Sequence, residues 1–225
     1  MRIREATPAD LPAITEIYAH HVLHGAGTFE EVPPDEADMA GRMKKVLAGR
    51  GNVWLVAEGG AGEILAYAYY SAFRERSAYR YTVENSIYVR DDVRGQGVGK
   101  ALVAELIARA EAAGFRQMLA VIGDSENVGS IGLHVSLGFR NIGTMRAVGM
   151  KFGRWVDVVT MQRSLGEGEK TLPRGSMLFI LINLAQYNRQ IPCPWTTSAQ
   201  ARCVGLQRSV EYHKFRVQRA FGKTM

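Results

Sequence analysis

The stretch that decides the fold reads Arg94-Gly95-Gln96-Gly97-Val98-Gly99. It follows an alternating, β-branched segment, Ser86–Val89, which is typical of the end of a strand. Apolar residues then recur at helical spacing until Gly114 ends the run. They are Val98, Leu102, Leu106 and Ala110. The pattern predicts a strand, a glycine-rich turn and a long helix in direct succession.

A glycine-rich turn that leads into a helix makes a ready anion site, because it offers free backbone N–H groups and the positive end of a helix dipole. The motif is not Walker A, since no Gly-Lys-Ser/Thr follows it. It is not the dinucleotide fingerprint either, since its strand is not the first and no acidic ribose partner stands about 20 residues on. We expect the turn to bind a pyrophosphate, with a plain β–α turn as the alternative.

Composition places the chain among globular proteins. Its 225 residues, 47% of them hydrophobic, suffice for one domain with a full core, or one domain plus an appendage. No run approaches the ~18 apolar residues of a membrane helix, and Met1–Glu5 lacks the apolar core of a signal peptide. The two cysteines, Cys193 and Cys203, have no zinc-site spacing. We expect a cytoplasmic protein with no membrane partner.

The net charge of +6 is confined to the C-terminal part of the chain. Residues 166–225 hold nine Lys and Arg against three Asp and Glu, which accounts for the whole excess. No interleaving of aromatic and basic residues indicates a nucleic-acid partner there, although a basic nucleic-acid arm is the alternative. We expect a domain over residues 1–165 and a basic extension over 166–225. The extension is either native or non-native, and we expect it to be dispensable for catalysis.

The order of the predicted elements indicates an α/β fold. The predicted strands are residues 2–4, 53–58, 64–73, 81–89, 117–122, 139–147 and 154–163. Two predicted helices begin at Pro8, with Thr7 as N-cap, and at Val98. Two further helices are predicted over residues 35–48 and 127–137. A turn around Gly149–Gly153 joins the last two strands. The prediction is a mixed, mostly antiparallel sheet of about seven strands flanked by about four helices.

Several further segments stand in a characteristic order around the glycine turn. They are Tyr81–Val89, Ala120–Gly123, Asn127, Ser130, Leu133-His134, Leu137-Gly138-Phe139 and Gly149-x-Lys151-x-x-x-Trp155-x-Asp157. With the Arg-x-x-Gly-x-Gly turn, residues 1–163 resemble the phosphinothricin N-acetyltransferase family of the GNAT superfamily, whose close relatives act on methionine sulfoximine and methionine sulfone. The resemblance implies acetyl-CoA as cosubstrate, a small amino acid as substrate, a homodimer and no metal.

Acetylating an amino acid requires removal of an ammonium proton, stabilisation of an oxyanion and departure of a thiolate. The resemblance implies that Glu84 is the general base, directly or through water; the alternative is a structural carboxylate paired with Arg76 or Arg80. It also implies the Val89 N–H as oxyanion donor. The resemblance gives His134 a catalytic role on the substrate side, and the alternative is a partly buried helix histidine.

The resemblance also implies the residues that bind the cofactor. They are Ile87, Tyr88, Val89, Arg94, Gly95, Gln96, Gly97, Val98, Gly99, Lys100, Asn127 and Ser130. The backbone N–H groups of Ile87–Val89 face the pantetheine and thioester, and the turn faces the pyrophosphate. For Asn127 a simple helix N-cap is the alternative.

Two arginines are the predicted clamp for the substrate's acidic group. Strand alternation would put Arg74 and Arg76 on one face, and a guanidinium binds a carboxylate or phosphinate bidentately. With Tyr79 they form the predicted clamp, and a solvated charge cluster is the alternative. Phe29 and Glu30 resemble residues that close the substrate pocket. Herbicide-detoxifying members carry Arg in place of Glu30, which puts a preference for phosphinothricin in question.

Three other interpretations remain to be weighed. The histidines His20, His21 and His24 suggest a metal site, but no carboxylate or cysteine completes the ligand set, so we expect a solvated helix end. Within the same fold, the enzyme could acetylate protein N-termini or other amines. The chain could also be a CoA-binding regulatory module without turnover.

Overall fold

Residues 1–173, which the computed structural model describes, contain seven strands and four α-helices. The strands are β1 (Arg2–Glu5), β2 (Trp54–Glu58), β3 (Ile64–Ala72), β4 (Thr82–Val89), β5 (Gln117–Gly123), β6 (Arg140–Lys151) and β7 (Arg154–Ser164). The helices are α1 (Leu11–His24), α2 (Glu36–Leu47), α3 (Val98–Ala112) and α4 (Val128–Ser136). The predicted numbers of strands and helices are confirmed.

All seven strands belong to one sheet, in the order β1-β2-β3-β4-β5-β7-β6. Every neighbouring pair is antiparallel except β4 and β5, which run parallel. Parallel neighbours need a crossover, and α3 supplies it, entered through the glycine turn. The predicted mixed, mostly antiparallel sheet is therefore confirmed.

The sheet separates two apolar layers. On one face, buried residues of α3, among them Leu102, Val103 and Leu106, pack against β2–β5 and β7. On the other face, α1 and α2 pack against an aromatic group that includes Trp54 and Tyr67. Because side chains alternate along a strand, consecutive residues of β4 face different layers.

Most predicted boundaries shift by a residue or more in the structure, and three of these shifts have an identifiable contact or consequence. The Thr7–Asp10 segment forms a 3-10 turn, closed by the Asp10 carboxylate that accepts from the Thr7 N–H at 2.7 Å, and the α-helix begins at Leu11. The strand β3 ends at Ala72, one residue before its predicted end. The strand β6 continues to Lys151, because an irregularity before Gly149 lets pairing with β7 resume.

The described chain continues a short way past the last strand. Leu165 is fully buried, and its N–H donates to Arg116 O at 2.9 Å. Most of the predicted extension, including the apolar run 177–184, lies outside the described residues. No helix within residues 1–173 is long and apolar enough to cross a membrane.

Candidate active site

The central feature of the site is a gap between two neighbouring strands. Pairing of β4 with β5 ends at Asn85 and Ala120, although β4 stays paired with β3 as far as Val89. Arg90 N–H donates to Leu65 O on β3 at 2.9 Å. Since backbone direction alternates along a strand, the N–H and C=O groups of Ile87 and Val89 point into the gap.

A cavity of about 850 Å³ occupies this gap and extends to the start of α3. Twelve of the predicted site residues line it: Ile87, Tyr88, Val89, Arg94, Gly95, Gly97, Val98, Gly99, Lys100, Asn127, Ser130 and His134. The other predicted site residues do not line it: Gln96, Glu84, Phe29, Glu30, Arg74, Arg76 and Tyr79. The Gln96 side-chain Nε2 donates back to Asp92 O at 3.3 Å, and a cofactor-binding role for Gln96 stays a prediction that concerns its backbone N–H.

The glycine turn presents backbone donors to the cavity. Gly95 and Gly97 have φ angles of +75° and +82°, a left-handed backbone that favours glycine. The first hydrogen bond of α3 runs from Ala101 N–H to Gly97 O, so the N–H groups of residues 98–100 have no acceptor within the helix. Together with the helix dipole, these donors fit a pyrophosphate.

The walls beside the turn are closely packed. A Cβ at Gly99 would lie 2.9 Å from Leu133 Cδ1 and 3.2 Å from Val89 Cγ2, so any other residue here would have to displace the side-chain ends of Leu133 and Val89. Asn127 caps α4, because its side chain accepts from the Ser130 N–H at 3.2 Å. The N-cap alternative for Asn127 therefore describes its contact, and the residue still lines the cavity.

Arg94 stands at the mouth of the cavity in an exposed ion pair. Its guanidinium lies 2.9 Å from the Asp91 carboxylate, and both side chains are more than half exposed. Exposed pairs of this kind contribute only about 0–1 kcal/mol, so an anionic ligand can take over the arginine at little cost.

Glu84 lies on the face of β4 that looks toward α1 and α2. Its side chain is half-buried, and this burial raises the pKa of the carboxyl, while the nearby Arg74 guanidinium lowers it. None of the ion pairs formed within residues 1–173 includes Glu84. In this part of the chain, no ion pair therefore joins Glu84 to Arg76, and the role of Glu84 as general base stays a prediction.

His134 lies on the opposite face of the sheet from Glu84. It is 1% exposed, with Nδ1 2.8 Å from Ser130 O and Nε2 3.1 Å from Asn85 Oδ1. Burial lowers the pKa of the imidazole. Because Asn85 follows Glu84 directly, alternation separates the two predicted catalytic residues, and the structure does not bring them together. His134 also lines the cavity, and its substrate-side role stays a prediction.

The predicted arginine clamp lies in a loop. Since β3 ends at Ala72, strand alternation does not place Arg74 and Arg76 on one face as expected. Both are exposed, Arg74 lies 5.0 Å from the Phe73 ring centroid, and Tyr79 meets the same ring edge-on at 5.7 Å. The segment stands beside Glu84, since Arg74 influences its pKa.

Glu30 is held by residues that the sequence did not indicate. Its carboxylate accepts two hydrogen bonds from Arg42, at 2.7 and 3.0 Å, and a third from the Tyr18 hydroxyl at 2.8 Å. Arg42 keeps the pKa of Glu30 below its usual range. The ring of Phe29 lies against Gly149 of β6, where a Cβ would overlap it.

The position of a second histidine, His21, beside the gap was not predicted from the sequence. The His21 Nε2 lies 2.9 Å from Val89 O, and burial lowers the pKa of its ring. The ring centroids of His20 and His24 lie 4.8 Å apart with the rings tilted, but no group of three or more potential metal ligands exists within residues 1–173. The only signal that could have found His21 was its place on the buried side of α1.

The chain is similar in sequence to known proteins that share one activity. Residues 3–160 match a family model described as an acetyltransferase (GNAT) domain. A phosphinothricin N-acetyltransferase from Alcaligenes faecalis is 52% identical, over 76% of this chain and 86% of that protein. An L-methionine sulfoximine/L-methionine sulfone acetyltransferase from Pseudomonas paraeruginosa is 46% identical, over 72% and 94%.

A solved structure has the same architecture. It is a GNAT superfamily phosphinothricin acetyltransferase from Sinorhizobium meliloti in complex with acetyl-CoA, 50% identical to this chain. The two superpose with a TM-score of 0.75, over 78% of this chain and 94% of that one. The divided sheet and the glycine turn thus occur in a chain that belongs to the GNAT family of acetyltransferases.

Proposed function

We propose that this enzyme transfers the acetyl group of acetyl-CoA to the α-amine of a small amino acid, of the methionine sulfone, methionine sulfoximine or phosphinothricin type. The observation that carries the proposal is the gap between β4 and β5, which opens beside the face that holds Glu84. The names of the relatives at 46–52% identity support the substrate class.

The turn and the start of α3 bind the pyrophosphate of acetyl-CoA. Gly95, Gly97 and the N–H groups of residues 98–100 supply donors, and Arg94 and Lys100 supply positive charge. The backbone N–H and C=O of Ile87 face the pantetheine. The Val89 C=O already lies against His21, and the Val89 N–H donates to the thioester oxygen as negative charge develops there. Asn127 and Ser130 complete the wall.

Glu84 acts as the general base. It takes a proton from the substrate ammonium, directly or through water, and so frees the nitrogen lone pair for attack on the thioester carbon. The new C–N bond replaces the C–S bond, and the thiolate leaves. A carboxyl whose pKa is raised by burial is a better base near neutral pH than an ordinary one.

Arg74, Arg76 and Tyr79 hold the substrate carboxylate, and Phe29 and Glu30 close the pocket around its side chain. Arg42 already neutralises Glu30, so the pair brings no net positive charge to attract a second anion. A neutral sulfone is therefore the better substrate, compared with the anionic phosphinate of phosphinothricin.

The assembled enzyme is a homodimer formed through the β6–β7 hairpin. Six large apolar side chains of this hairpin are more than half exposed: Ile142, Met145, Val148, Met150, Phe152 and Trp155. Monomeric proteins rarely expose such a group, and β6 is an edge strand that a second copy can cover.

We place the enzyme in the cytoplasm, with no nucleic-acid or membrane partner. The chain has only two cysteines, whose spacing matches no zinc site, and this low number is typical of a reducing compartment.

A substrate panel tests the proposed function. Thiol release from acetyl-CoA should be fastest with methionine sulfone or methionine sulfoximine, slower with phosphinothricin, and lost when the carboxylate is amidated. Arg74→Ala should raise the amino-acid KM about 10–100-fold, the equivalent of one charge-assisted hydrogen bond. A preference for peptide N-termini would favour the other amine acetyltransferases. If no amine is acetylated, the result would favour the interpretation as a CoA-binding regulatory module.

Replacing Glu84 with Gln keeps the side-chain shape and removes proton acceptance. We expect kcat to fall by ~10²–10⁴-fold at neutral pH, measured by thiol release at saturating substrate. In the wild type, activity should decline as pH falls through a pKa above the ordinary 4.5, because only the carboxylate accepts the proton.

Arg74→Ala should move this acid limb to higher pH, because the arginine is the charge that lowers the pKa of Glu84. Near-wild-type turnover by Glu84→Gln would show that Glu84 has a structural role only.

Replacing Gly97 with Val tests the pyrophosphate turn. A left-handed backbone costs a residue with a side chain about 1–2 kcal/mol, so the acetyl-CoA KM should rise by about tenfold. The amino-acid KM should change much less. The control is Gly60→Val, in an exposed turn where a Cβ meets nothing within 4 Å. Equal effects on both KM values would contradict the assignment.

A chain that ends at Leu165 tests the proposed domain and the dimer together. It should fold, turn over with an acetyl-CoA KM close to that of the full chain, and sediment as a dimer, because all the proposed contacts lie before residue 165. Loss of the folded state would place the extension in the core. A folded, active monomer would show that the β6–β7 hairpin alone does not hold two copies together.

A further inference from the structure

The loop between α1 and α2 connects the two halves of the site. Residues 25–27 line the cofactor cavity, and the predicted pocket residues Phe29 and Glu30, which do not line it, follow after Thr28. Thr28 lies between them, buried, with its hydroxyl 3.0 Å from that of Tyr18. We term residues 25–30 the pocket loop. A shift of its backbone at residues 25–28 therefore also moves Phe29 and Glu30.

A buried cation from a distant strand fastens the pocket loop. Lys151, the last residue of β6, is 3% exposed, and its Nζ donates to Gly25 O and Thr28 O, each at 2.8 Å. None of the ion pairs within residues 1–173 includes Lys151. The two carbonyls thus replace the water that the ammonium loses on burial.

Burial lowers the pKa of Lys151, while the carboxylates of Glu30 and Glu31 raise it. Both carboxylates belong to the segment just after Thr28, so the cation is attracted to the chain that it fastens. If the ammonium were replaced by an apolar group, two buried carbonyls would lose their donor, at a cost that a shift of the pocket loop could relieve.

A second contact from the same strand seats the aromatic ring. Gly149 lies two residues before Lys151, on the same face of β6. The ring of Phe29 occupies the space where a Cβ of residue 149 would stand. On β5, Gly123 is likewise covered by the backbone of Ala26 and Gly27. The pocket loop thus packs against the backbone of two strands.

We propose that Lys151 and Gly149 are positioning residues, which fix the pocket loop so that Phe29 and Glu30 meet the amino-acid substrate. Neither residue touches the substrate. This inference rests on the proposed function, since it assigns the pocket loop to amino-acid binding. The β6–β7 hairpin then affects amino-acid affinity through the pocket loop, without contacting the substrate.

Two variants with matched controls test the inference. In Gly149→Ala the added methyl displaces the Phe29 ring, and the amino-acid KM should rise by about tenfold or more, because a misplacement of ~1 Å can cost up to ~10²-fold. The acetyl-CoA KM should stay within a factor of about two, since Phe29 lies outside the cofactor cavity. The control, Gly60→Ala, adds the same methyl in open space.

In Lys151→Met both hydrogen bonds are lost while the stem length is kept. The amino-acid KM should rise more than the acetyl-CoA KM, and amide hydrogen exchange of residues 25–30 should accelerate. Lys45→Met, on the exposed side of α2, should change neither. If Lys151→Met fails to fold, Gly149→Ala still decides.

If the wild type acetylates amino acids and Gly149→Ala does so with an unchanged amino-acid KM, this inference is overturned and the proposed function stays intact. Equal rises in both KM values would also overturn it, since they would indicate a general loss of structure. Absence of amino-acid turnover by the wild type itself would overturn the proposed function, and this inference with it.

Discussion

The site depends on the place where β4 and β5 cease to pair. Up to Asn85 and Ala120 the two strands bond as neighbours in a sheet, and beyond that point their backbone groups turn to the cavity instead. Unpaired backbone groups inside a protein are costly, so a gap of this kind persists only where something holds the strands at a fixed spacing. At the last paired position, the side chain of Asn85 adds a further bond between the two strands, since its Nδ2 donates to Leu119 O on β5 at 3.0 Å, and its Oδ1 lies 3.1 Å from His134 Nε2.

The same point separates the site into two sides. Glu84 looks toward α1, α2 and the pocket loop, whereas Asn85 and His134 look toward α3 and α4. Glu84, the proposed base, is thereby separated from Asn85 and His134, which lie on the other side of the sheet. His134 is buried there, with one ring nitrogen beside Ser130 O and the other beside Asn85 Oδ1. Because a neutral imidazole carries a single N–H, it donates to only one of these two oxygens.

Local patterns in the sequence predicted most of the fold. The glycine turn, the α3 periodicity and the alternation in β4 depend on neighbours in the chain, so the strand–turn–helix unit could be predicted from them. The other residues of the cavity, such as Asn127, Ser130 and His134, were implied only by the resemblance to a known family. Contacts between distant segments could not. The pairing of Glu30 with Arg42, the burial of Lys151 and the His21–Val89 contact join residues whose sequence context carries no mutual signal. The end of β3 at Ala72, which removed the alternation expected for Arg74 and Arg76, depends on where its partner β4 begins.

The way in which Lys151 holds its partners has a consequence for how such an enzyme can diversify. The ammonium binds carbonyl oxygens of the main chain, which every amino acid possesses. Substitutions at residues 25 and 28 therefore leave the acceptors in place, and the neighbouring positions 29 and 30 can change identity on a backbone of constant path. A lineage with this anchor can explore new amines by exchanging a few side chains, without rebuilding the scaffold that presents them.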